Sequence, residues 1–92
     1  MNKTELVALV ADKAGTSQVQ AENVVNAFVE VVSETLAKEE KVVVTGFGTF
    51  EVRHRVARRG KNPRTGEEII VPAQKTPAFK AGKLLKDAVK EI

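Results

Sequence analysis

The chain opens with two stretches in which apolar residues recur at helical spacing. Leu6, Leu9 and Val10 follow Asn2 and Glu5, whose separation is that of a capping box with Asn in the hydroxyl position. The period persists to Ala14, and Gly15 supplies the glycine stop that ends many helices. Ser17 and Gln20 form a second capping box, which predicts a longer helix over roughly residues 18–38 and gives Ser17 a structural role, not a nucleophilic one. On that helix Ala21, Val24, Val25, Ala27, Phe28, Val29, Val31, Val32 and Leu36 cover an arc of roughly 200°. A surface helix needs an apolar stripe of only about 100°. Glu22, Asn26, Glu30, Ser33 and Glu34 fill the remaining face. A helix apolar on two sides needs two packing partners. A second copy of the chain would supply one, and burial beneath the chain's own sheet is the other solution.

After the polar connection Lys38-Glu39-Glu40-Lys41, the pattern turns β-like. Val42-Val43-Val44-Thr45 predicts a buried strand, Gly46-Phe47-Gly48 a tight turn, and Thr49 the start of a second strand. The Gly-x-Gly here is no dinucleotide fingerprint, because Glu51 stands at the third glycine position and a strand follows. Phe47, Phe50 and Phe79 are three of only four aromatic residues and are candidates for core or dimer-interface packing. From Val52 the apolar positions alternate with cations. Val52, His54 and Val56 interleave with Arg53 and Arg55, and Glu68-Ile69-Ile70-Val71 forms a β-prone return leg. Between them lies Gly60-Lys61-Asn62-Pro63-Arg64-Thr65-Gly66, dense in turn formers. The simplest reading is one long hairpin, each leg about ten residues and roughly 33 Å long. After Gly82, Leu84, Leu85, Ala88, Val89 and Ile92 predict a short amphipathic helix.

Length and composition narrow the class. Ninety-two residues make one domain, 42% hydrophobic and 29% charged, as in folded proteins. Its expected parts are a helical and sheet body over 1–51, an arm over 52–76, and a strand end and helix over 77–92. There is no cysteine, so no disulfide or thiolate metal site, and no apolar leader or membrane-length run. The expectation is a soluble, cytoplasmic protein that does not bind membranes.

Charge changes the picture more. The net +3 conceals a polarity. Residues 1–52 carry four lysines against eight acids, a net of −4, and residues 53–92 carry eleven cations against four acids, a net of +7. An acidic body with a basic working surface points to a polyanionic partner. Arg53, Arg55, Arg58, Arg59, Lys61 and Arg64 place six cations in twelve residues with no acid among them. Arginine's planar fork suits phosphate oxygens and narrow minor grooves. Arg58 and Arg59 cannot share a strand face unless a bulge intervenes, so one of them is expected to face solvent or a flanking phosphate. Pro63 has two readings, a turn former that fixes φ or an exposed apolar wedge flanked by Lys61 and Arg64. Lys75 on the return leg and Lys80, Lys83, Lys86 and Lys90 near the C-terminus are further candidates for phosphate contact; a solvated helix face is the alternative for the last three.

No catalytic constellation accompanies these cations. His54 is the only histidine, the serines are Ser17 and Ser33, and neither a Walker loop nor an EF-hand occurs. The expectation is a protein that is not an enzyme and uses no cofactor or metal. With no Tyr or Trp, base stacking of the single-strand kind has little to work with.

The stretch Gly46-Phe47-Gly48-Thr49-Phe50-Glu51-Val52-Arg53, then Arg58 and Gly60-x-Asn62-Pro63-x-Thr65-Gly66-Glu67, closely resembles the bacterial histone-like HU family, which includes integration host factor. The opening Met1-Asn2-Lys3-Thr4-Glu5-Leu6 and the ending Pro77-Ala78-Phe79-Lys80-Ala81-Gly82-Lys83-x-Leu85-Lys86 are similar too, so the likeness spans the chain. The resemblance implies an α+β fold with an N-terminal helical hairpin, a three-stranded antiparallel sheet extended into a long β-hairpin arm, and a short C-terminal helix. It also implies an intertwined dimer whose core holds Phe28, Val32, Phe47, Phe50 and Phe79. Two arms would wrap double-stranded DNA through the minor groove with Pro63 as the intercalating wedge. Asn62 and Arg64 would flank the wedge, and Arg53, Arg55, Arg58 and Lys61 would line the arm. The implied function is architectural, non-sequence-specific bending and compaction of DNA in the bacterial nucleoid, with bent, nicked or gapped duplexes favoured. A site-specific bender, a heterodimer with a related chain, and an RNA-associated basic protein are the alternatives.

Overall fold

The computed structural model describes residues 1–90. The chain divides into two compact units, Met1–Thr35 and a second that begins at Leu36.

The first unit is built on two helices, and both begin where the sequence places a cap. In α1 (Lys3–Ala14) the Glu5 N–H donates to Asn2 Oδ1 at 2.9 Å, and at the other end Gly15 sits at φ 70° with its N–H on the Ala11 carbonyl. In α2 (Gln18–Ala37) the Gln20 N–H donates to Ser17 Oγ at 3.1 Å. Each cap satisfies one of the backbone donors that a helix start leaves unpaired. The two helices meet through small side chains. Val7 and Ala11 of α1 and Ala21 of α2 are buried together, with Val10 and Val25 against them.

The second unit holds five strands and a helix. A three-stranded antiparallel sheet has the order β1 (Val42–Val44), β2 (Gly48–Arg55), β5 (Gln74–Ala81), and a separate two-stranded ribbon pairs β3 (Arg58–Lys61) with β4 (Glu68–Val71). The turn between β1 and β2 falls at Thr45–Phe47, closed by the Phe47 N–H on the Val44 carbonyl at 3.0 Å. Gly48 is therefore the first residue of β2, one place earlier than its turn chemistry suggests, and β1 ends at Val44 instead of Thr45. Gly48 serves close approach here. A Cβ on it would lie 2.7 Å from the Lys80 carbonyl oxygen and closer still to Cζ of the Phe79 ring. After β5, helix α3 (Lys83–Lys90) is tied to the β1–β2 turn. The Gly82 N–H donates to the Phe47 carbonyl at 2.7 Å and the Leu84 N–H to the Gly46 carbonyl at 3.1 Å. Ile92, expected on the apolar face of this helix, lies outside the described residues.

The expected long hairpin arm forms, though not as one unbroken ladder. Its ladder is interrupted at Val56–Ala57 on one leg and Pro72–Ala73 on the other. Pro72 has no N–H to donate, which accounts for a gap on the return leg. The register nevertheless continues across the gap without slippage, from Arg55 opposite Gln74 to Arg58 opposite Val71. The sheet and the ribbon thus form one arm in two segments, and β2 and β5 belong to both body and arm.

Among the described residues no helix is long and apolar enough to cross a membrane.

Candidate nucleic-acid interface

Directly paired residues in an antiparallel sheet point to the same side, and the registers sort this sheet into two unlike faces. One face carries Val42, Phe50 and Phe79 in a row, with Val52 opposite Pro77 beyond them. Phe79 lies between Phe50, at a ring-centroid distance of 4.8 Å, and Phe47 at 5.3 Å. The other face carries Val43, Thr49 and Lys80 in a row, then Glu51 opposite Ala78, Arg53 opposite Thr76 and Arg55 opposite Gln74. Lys80, Arg53 and Arg55 are therefore presented on one side, away from the aromatic cluster, and all three are exposed.

The ribbon continues the cationic side chains outward. Arg58 pairs with Val71 and Arg59 with Ile70, in regular register, so the two arginines point to opposite sides and no bulge brings them together. Lys61 stands opposite Glu68, a cross-strand ion-pair position. Gly60 faces the side of Ile69 and Val71, whose Cγ1 and Cγ2 atoms would lie 3.8 and 3.7 Å from a Cβ placed there.

Asn62 organises the tip. Its Oδ1 accepts the Arg64 N–H at 2.9 Å, its carbonyl accepts the Gly66 N–H at 2.8 Å, and its own N–H donates to the Glu67 carbonyl at 2.8 Å. Thr65 Oγ1 accepts the Glu67 N–H at 3.3 Å. These bonds fold residues 62–67 into a closed Asx-type turn, a structural task for Asn62 beyond its expected place beside the wedge. Pro63 and Arg64 stand exposed at the outer end of that turn. The local hydrogen bonds hold the tip without using the Pro63 ring, which leaves the ring available to a partner.

Lys75 is placed differently from the other cations. It pairs with His54 on the aromatic side of the sheet, one rung before the ladder ends. There Glu39 Oε1 lies 3.0 Å from His54 Nε2 and 3.5 Å from Lys75 Nζ. Sequence reading missed Glu39 altogether, since it took residues 38–41 as a polar connection. Lys83, Lys86 and Lys90 are exposed on α3. Of the aromatic and aliphatic residues expected in a dimer core, Phe47, Phe50 and Phe79 form one cluster in the second unit, while Phe28 and Val32 lie on α2. Among the described residues no three His, Cys, Asp or Glu side chains are grouped to hold a metal ion.

Comparison with known proteins gives a consistent result. The sequence pattern of the family described as bacterial DNA-binding protein matches residues 1–90. The chain is 57% identical over 90 residues to the DNA-binding protein HU of Staphylococcus aureus strain COL, covering 98% of this chain and 100% of that one. It is 58% identical over 90 residues to the SPbeta prophage-derived DNA-binding protein HU 2 of Bacillus subtilis strain 168, covering 98% of each. Among solved structures, it superposes on Anabaena HU in a cocrystal with DNA with a TM-score of 0.90 at 46% identity, covering 100% of both chains. HU from Thermotoga maritima follows with a TM-score of 0.69 at 36% identity, covering 98% of this chain and 100% of that one.

Proposed function

This chain belongs to the bacterial DNA-binding protein family, in which the HU proteins fall, and on that premise we propose how it handles DNA. It is an architectural DNA-binding protein. Two copies pair through their apolar surfaces, and the two arms clamp the double helix from the minor-groove side, bending and compacting it without reading a particular sequence. The observation that carries this reading is the two-faced sheet. Its aromatic side is suited to a protein partner, and its other side presents Lys80, Arg53 and Arg55 at the root of a cationic ribbon.

The arm supplies phosphate contacts through Arg53, Arg55, Lys61, Arg64 and one of Arg58 and Arg59. Exposed Pro63 at the tip acts as the wedge that opens a base step. Lys80, Lys83 and Lys86 meet the phosphates of the flanking duplex as it curves back. Cations in the minor groove see a nearly degenerate pattern of acceptors, which favours a binder of any deformable duplex over a site-specific one. A proline wedge has no evident use on rigid A-form RNA. A DNA partner places the protein on the nucleoid in the bacterial cytoplasm.

Bending a site of 20–30 base pairs by 40–90° costs on the order of 1–6 kcal/mol, and a nick or gap removes much of that cost. Competition among intact, nicked and gapped duplexes of random sequence should therefore show the interrupted duplexes competing about tenfold better or more, with RNA weakest. A strong preference for one intact sequence would favour a site-specific bender, and a preference for RNA would overturn the DNA reading.

A further inference from the structure

We propose that Glu39 is an internal competitor of DNA phosphate for the two basic side chains at the root of the arm, His54 and Lys75. The inference rests on the DNA-binding reading above and deepens it.

Glu39 is the only described non-glycine residue at positive φ, 62°, where its N–H donates to the Leu36 carbonyl at 2.8 Å just past the end of α2. Glycine or asparagine suits that left-handed position, and glutamate gains nothing there from backbone conformation. What the residue adds is a carboxylate. A single oxygen, Oε1, reaches both members of the cross-strand pair, His54 Nε2 at 3.0 Å and Lys75 Nζ at 3.5 Å. One acceptor thus touches both legs of the arm, a rung before the ladder breaks.

Exposure decides what this contact is for. The side chains of His54 and Lys75 are 61% and 64% exposed, and that of Glu39 is 43% exposed. Ion pairs so open to water contribute little to folding. They are equally open to exchange, and a phosphate oxygen is a natural replacement for a carboxylate oxygen against an ammonium group. In the free protein Glu39 partly neutralises the arm's root. On DNA it must release Lys75 or leave that lysine unused, and in either case it weakens binding. Because Glu39 engages the root of the arm, it shifts the balance of the grip toward the outer half, from Arg58 to Arg64.

The test is equilibrium binding to one nicked duplex at fixed salt, using the parent chain and its Glu39→Gln, Glu40→Gln, His54→Gln and Lys75→Gln variants, with thermal melting to confirm folding. Glu40→Gln removes the adjacent charge and measures the general effect of one acid fewer. The expected result is that Glu39→Gln binds roughly threefold tighter per arm, within the range open ion pairs provide, and clearly tighter than Glu40→Gln. That extra gain should vanish when Lys75→Gln and His54→Gln are also present. Equal gains for Glu39→Gln and Glu40→Gln, or a gain that survives the loss of both basic partners, would overturn the proposal while leaving DNA binding by the parent chain intact. A parent chain that binds no duplex would overturn the DNA reading along with it.

Discussion

Raising salt from about 50 to about 200 mM is expected to weaken DNA binding by roughly 10⁵-fold. The arm presents six cations between Arg53 and Arg64. Arg58 and Arg59 project to opposite sides of the ribbon, so about five of the six can face one duplex. Two arms then neutralise about ten phosphates, and with about 0.9 counterions released per contact the slope of log K against log salt is near −9. The register also makes a finer prediction. Arg58→Gln and Arg59→Gln should be unequal, one flattening the slope by about 1.8 through its two copies and the other leaving it nearly unchanged. A nearly flat salt dependence of the parent protein would remove the electrostatic account of the arm.

Replacing Phe79 with Asp is expected to abolish the dimer and, with it, the fold. Only Val7, Ala11 and Ala21 are buried hydrophobics among the described residues, and none of them is large. Phe79 sits in the middle of the aromatic cluster, yet 39% of its surface is open in the single chain. A charge at that position is tolerable if water reaches it and costs several kcal/mol if a second chain covers it. Sedimentation should give a species twice the 10.0 kDa chain mass for the parent protein, with a melting temperature that rises with concentration. Phe79→Asp should give an unfolded 10.0 kDa chain. A parent that sediments as a monomer and melts independently of concentration would contradict the paired arrangement.

Much of this was legible in the sequence because it is written locally. Asn2, Gly15 and Ser17 act within one helical turn of themselves, so helix ends follow from their chemistry alone. The doubly apolar α2 was legible as well, and Val24, Phe28, Val29 and Val31 remain exposed in the single chain. The alternation of Val52, His54 and Val56 with arginine gave the strand but concealed the interruption, because Val56 fits a strand in every local respect. Pro72 on the other leg was the available signal, and it takes effect only through the cross-strand partner that its missing N–H would have met. Glu39 was not legible at all. Its two basic neighbours lie 15 and 36 positions farther along the chain, and no local pattern announces such a meeting. Nor does charge alone distinguish Pro63 as wedge from Pro63 as turn former. The turn is already closed by Asn62 and Thr65, which makes the ring's contact with DNA the open question.

Fluorescence transfer between the two ends of a duplex of about 20–30 base pairs addresses that question most directly. Saturating parent protein at low salt should bring the ends together and raise transfer well above that of the free duplex. Pro63→Ala should bind nearly as tightly under the same conditions, because the phosphate contacts remain, while giving clearly less transfer. An unchanged bend with Pro63→Ala would reduce Pro63 to a turn former. A duplex saturated with parent protein whose end-to-end transfer matches that of free DNA would contradict the two-armed bender itself.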